Sequence, residues 1–91
     1  MKKSNKLILK IVINGEPFDL IASKKKKIEY REYTPFWISR LYDKNGKKRT
    51  YDLIEFINGY NTNARRMLTI FKGFNKRGKM LHIHIGKIIN K

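Results

Sequence analysis

The chain has no cysteine among its 91 residues, which excludes disulfides and thiolate metal sites and leaves the redox compartment open. Acidic residues are scarce: 7 Asp and Glu stand against 22 Lys and Arg, a net charge of +15. No convincing carboxylate pair for metal-dependent hydrolysis is present, nor a phosphate-cradling glycine loop or a zinc signature. No stretch approaches the roughly 18 apolar residues of a membrane span. The start, Met1-Lys2-Lys3-Ser4-Asn5-Lys6 before apolar residues 7–13, has the outline of a signal peptide. Lys10 interrupts that run and no small-x-small cleavage site follows, so a cytoplasmic location is expected.

What is present fits one domain over residues 1–91, which buries roughly 60–65% of its unfolded surface. Hydrophobic residues make up 41%, with five Tyr, five Phe and one Trp, so a packed globule is expected rather than disorder. A charge of +15 on so small a chain repels itself and implies a polyanionic partner. RNA or a nucleotide is the leading candidate and an acidic protein surface the second. An anionic membrane face satisfies the same field, but no membrane partner is expected. Lysine-rich codon usage raises the count with no function attached. No cofactor is implied, and a monomer is expected.

Residues 6–14 read as an Ile/Leu/Val strand closed by Asn14-Gly15. Pro17 suits the first turn of a short helix with Phe18, Ile21 and Ala22 at helical spacing. Residues 27–33 form a second strand, with Ile28 and Tyr30 on one face and Lys27, Glu29 and Arg31 on the other. Thr34 caps a second helix that opens at Pro35 and carries Phe36, Trp37, Ile38 and Leu41. Asn45-Gly46 is an exposed loop. Strands are predicted over 51–57, 67–74 and 80–89, with Asn58-Gly59 ending the third strand and a basic turn over 75–79. Connections after the third strand are too short for parallel crossovers. The fold class is mixed α+β, mainly β: a small five- or six-stranded barrel with mixed pairing and two short helices flanking a cleft.

The most pointed stretch is Lys24-Lys25-Lys26-Lys27-Ile28-Glu29-Tyr30-Arg31. A lysine run alone is usually a solvated face. Here it opens onto an acid and a base two residues apart, on the same side of a strand.

The ordered set of a strand, a short helix, a lysine-rich turn, Lys26-x-x-Glu29-x-Arg31 and Tyr33-Thr34-Pro35-Phe36-Trp37 resembles the ASCH domain, a branch of the PUA-like barrels. The likeness continues through Phe56-Ile57-Asn58-Gly59-Tyr60 and Ile85-Gly86-Lys87-Ile88-Ile89, so it spans almost the whole chain. The family's signature is Gly-x-Lys-x-x-Glu-x-Arg, and Lys24 stands at its glycine. If that position needs a positive φ, lysine is strained there by roughly 1 kcal/mol. The resemblance implies a PUA-like barrel whose cleft is lined by the motif and binds RNA. Relatives include an amidohydrolase of acetylated cytidine and a ribonuclease. The amidohydrolase branch carries Thr where this chain has Glu29, which argues against transferring its chemistry.

In a nucleotide site, Arg31 or Lys26 would hold phosphate and Glu29 would accept from a base amino group. As an enzyme, the chain would be a small hydrolase of RNA or an acylated nucleoside, with Lys26 and Glu29 as catalytic groups. The structural alternative is a Glu29–Arg31 ion pair bracing the barrel mouth. Trp37, Tyr33 and Tyr60 offer stacking faces, with one of Phe36 and Trp37 turned to the core and the other to the cleft. Asn58 reads a base edge or simply ends a strand. Arg65 and Arg66 are phosphate contacts of which one faces the cleft. His82-x-His84 supplies two potential metal ligands but lacks a third, so no metal is expected. A further alternative is a basic interaction or inhibitor protein of a mobile element.

Overall fold

Alternation sets the first element of the computed structural model, which describes residues 6–90. Strand β1 (Ile8–Ile13) buries Leu9, Ile11 and Ile13 and turns Ile8 and Lys10 outward. Helix α1 (Gly15–Ala22) then buries Phe18 and Ile21. It ends in a Schellman turn: the Lys24 N–H donates to the Ile21 carbonyl and the Lys25 N–H to the Leu20 carbonyl, both at 2.9 Å. That motif places the residue just after the C-cap Ser23 in the left-handed region. Here that residue is Lys24, at φ 69°, a conformation that glycine adopts without strain.

Strand β2 (Ile28–Glu32) follows, and helix α2 (Pro35–Leu41) starts as its sequence requires. The Thr34 hydroxyl accepts from the Trp37 N–H at 3.5 Å, and Pro35 sits in the first turn. Strands β3 (Leu53–Asn58), β4 (Arg66–Arg77) and β5 (Met80–Asn90) complete the chain. The fourth strand is longer than its pattern predicts. Asn75, Lys76 and Arg77 pair with His82, Leu81 and Met80, so the basic turn shrinks to Gly78-Lys79. Gly78 takes φ 63° and makes the two-residue hairpin connection possible.

The five strands form one sheet in the order β1-β3-β4-β5-β2. β1 and β3 are parallel and the other pairs antiparallel, the mixed pairing expected. The sheet curls into a half-barrel around Ile11, Ile54, Phe56, Leu81 and Ile83, all fully buried. Leu41 and Trp37 of α2 and Phe18 and Ile21 of α1 complete this core. No backbone pairing joins the two outer strands, β1 and β2. Instead the Arg31 guanidinium on β2 reaches across and donates from Nη2 to the Val12 carbonyl on β1, at 3.1 Å. This side chain does at the seam what a ladder would do in a closed barrel.

Among the described residues, no helix is long and apolar enough to cross a membrane.

Candidate nucleic-acid interface

Strand β2 inverts the usual arrangement of a half-buried strand. Its charged face points inward: Glu29 is 6% exposed, whereas Tyr30 on the opposite face is 48% exposed. A carboxylate buried this far needs partners. Glu29 has one for each oxygen: Arg31 Nε lies 2.8 Å from Oε2, and Lys26 Nζ lies 3.5 Å from Oε1. Arg31 is thereby fixed on three sides. It holds Glu29, spans to Val12 and lies over the Trp37 ring at 5.1 Å. Arginine suits this position because its planar fork satisfies several acceptors while stacking on an aromatic face.

Arg31 separates two hollows. The smaller, about 300 Å³, is bounded by Glu29, Asn14, Pro17 and Tyr60. The larger is a groove of about 600 Å³ running between α2 and the β1 side of the sheet. Its walls carry the cations Lys10, Arg31 and Arg40 and the aromatic rings of Phe36, Trp37, Tyr51 and Tyr60, and no carboxylate. Phe36 is 55% exposed with the Arg40 guanidinium stacked on it at 3.7 Å, and Tyr60 is 92% exposed. Exposed rings with arginines beside them present stacking faces and phosphate partners together. The Tyr51 hydroxyl donates to the Arg40 carbonyl at 2.6 Å and ties this end of α2 to the chain ahead of β3.

Of the residues singled out from sequence, Glu29, Arg31, Trp37 and Tyr60 line these hollows, whereas Lys26 lines neither and touches them only through Glu29. Phe36 and Trp37 divide as expected. Trp37 joins the core while still lining the groove, and Phe36 stays mostly exposed with Arg40 on its ring. Asn58 ends β3, with its amide beside Gly15 at the start of α1. Arg65 goes elsewhere. It pairs with Asp19 at 3.0 Å and lies over Phe18, so it braces α1. Arg66 sits 3.5 Å from Glu55, and neither arginine lines the groove. Tyr33 packs edge-on against Tyr42. His82 meets the edge of Tyr30, and His84 bonds Asn75 at 2.6 Å.

Lys10 and Arg40 were not recognisable from sequence as groove residues. Arg40 carries a weak signal, since it falls four residues after Phe36 on a helix and so on the same face. Set against protein-family models, curated proteins and solved structures, the chain matches none.

Proposed function

We propose that this chain is an ASCH-like module that binds single-stranded RNA, or a nucleotide, in the groove beside Arg31. The observation that carries the reading is the lining of that groove: three cations and four aromatic rings with no carboxylate, in a space of about 600 Å³. Bases stack on Phe36 and Tyr60, and Arg31 and Arg40 take phosphate oxygens. The ASCH likeness gains support from the α1 turn, where Lys24 occupies a positive-φ position at the place of the family's glycine. It gains further support from Glu29 and Arg31, which share one face as the motif requires.

The hydrolase reading asks Lys26 and Glu29 to move protons. Both Glu29 oxygens are already engaged by cations, which favours a positioning role.

Titrating fluorescently labelled single-stranded RNA at several salt concentrations tests the proposal. Affinity should fall with salt, and Phe36→Ala should weaken binding about tenfold, the scale of one lost stacking contact. Arg31→Ala should weaken it further, with Arg40→Ala as the variant that leaves the seam intact. No binding at low salt, or binding indifferent to both Phe36→Ala and Arg40→Ala, overturns it.

A further inference from the structure

Another cavity, about 430 Å³, opens where the lysine run meets the far end of the β4–β5 hairpin. Lys24, Lys26, Lys27, Lys72 and Lys87 surround it over an aliphatic floor that includes Ile85, and no acidic side chain lines it. Only Lys26 has a carboxylate within ion-pair distance among the described residues; the other four have none.

The convergence is built by the backbone. Between the pairs Thr69↔Ile88 and Phe71↔Ile85, β5 carries one residue more than β4. Between Phe71↔Ile85 and Phe74↔Ile83, β4 carries one more than β5. Two bulges therefore lie side by side, one at Gly86-Lys87 and one at Lys72-Gly73, where Gly73 takes φ 93°. Bulges re-aim side chains that strict alternation would send elsewhere. Here both bring a lysine to the same space. The Lys72 stem crosses directly over Gly86, where an added Cβ would come within 2.8 Å of Lys72 Cγ. The strained turn at Lys24 supplies the opposite wall.

Gathering unpaired ammonium groups works against folding, and the arrangement is matched only by an anion with several charges in a row. Lysines are point charges on flexible stems and suit phosphates without requiring a fixed geometry. The aliphatic floor offers no stacking ring. Lys26 belongs to this cavity and also touches Glu29, whose other oxygen holds Arg31 in the groove. We infer that the lysine cavity is a second binding site, taking consecutive backbone phosphates of the same single strand whose bases stack in the groove. This rests on the RNA-binding reading.

The test measures affinity for a labelled single-stranded RNA of about a dozen nucleotides as a function of salt. It compares wild type, Lys72→Gln/Lys87→Gln, and Phe36→Ala. Glutamine keeps the stem over Gly86, and a far-UV spectrum and a melt check the fold. The lysine variant should lose about 1.4 from the slope of log affinity against log salt, roughly 0.7 for each lost phosphate contact. Inorganic tripolyphosphate should compete with RNA on wild type and compete less on the lysine variant. Phe36→Ala should weaken binding with the slope unchanged. A wild-type slope in the lysine variant, with Phe36→Ala still damaging, overturns this inference alone. Absence of RNA binding by wild type overturns both readings, and binding to phosphatidylserine vesicles in its place would assign the lysines to a membrane surface.

Discussion

The groove and the lysine cavity carry charge of the same sign and are built for different chemistry. Arg31 and Arg40 in the groove lie on aromatic rings, at 5.1 and 3.7 Å from the Trp37 and Phe36 centroids. The cavity's five lysines share a lining of aliphatic side chains, and of them only Lys26 lies over a ring among the described residues, that of Tyr30 at 5.1 Å, outside the cavity lining. Guanidinium groups stack and fork, so the first region can respond to planar ligands; ammonium groups respond to charge density. Eight of the 22 Lys and Arg residues thus fall in two regions of different character, three in the groove and five in the cavity. The two regions meet at one buried residue, Glu29, which contacts a cation from each.

Glu29→Ala should have the largest effect on this division. Removing one partner of a fully buried pair costs about 3–5 kcal/mol. Arg31 keeps part of its surface in water, so the expected loss is about 2 kcal/mol, read by urea denaturation. A loss under about 0.5 kcal/mol would mean that groove and cavity are held independently, because surface pairs of that order contribute little. Lys24→Gly should act in the opposite direction. It relieves about 1 kcal/mol of left-handed strain, offset in part by glycine's greater freedom when unfolded, for a net gain of about 0.5 kcal/mol. A net loss in the same denaturation experiment would show that the Lys24 side chain supports the cavity wall.

The smallest effect concerns Tyr42, which lines neither region. Burial, and then the neighbouring Tyr33 phenol, hold the Tyr42 hydroxyl above the ordinary phenol value of 10.0. The neutral form is thus favoured in the fold. Its contribution to stability is complete below pH 10 and is lost as pH rises through the folded value. One tyrosine should titrate last in an alkaline absorbance scan of the folded protein. If all five titrate together while the protein stays folded, Tyr33 and Tyr42 are not coupled.

Much of this arrangement was legible in the sequence because it follows from short-range rules. The Thr34-Pro35 helix start, the common face of Glu29 and Arg31, and the split between Phe36 and Trp37 depend only on neighbours and periodicity. The fourth strand was cut short because Asn75-Lys76-Arg77 reads as polar loop, whereas cross-strand pairing to Met80–His82 keeps it extended. Arg65 reads as a free phosphate contact until Asp19, 46 residues earlier, is seen beside it. Nothing in the sequence marked Lys72 or Lys87 as facing a common cavity, since bulges shift register without leaving a motif. The bridge from Arg31 to Val12 joins the two ends of the sheet and lies beyond any local pattern.

The sheet order also bears on when the protein can assemble during its synthesis. The central strand is β4, and β2 has no partner in the sheet except β5. Strands β4 and β5 follow the other three in sequence and are joined by a two-residue turn. On the ribosome β2 and its lysine turn must therefore wait, unpaired, until the C-terminal hairpin emerges, although earlier segments often fold first in larger proteins. The hairpin is the most local pairing in the molecule and needs little chain closure to form. It then supplies an edge on each side, β3 bringing β1 to one and β2 closing the other. Of the pairings in this sheet, the one that encloses the lysine turn therefore spans the longest stretch of chain, from Ile28 to His84.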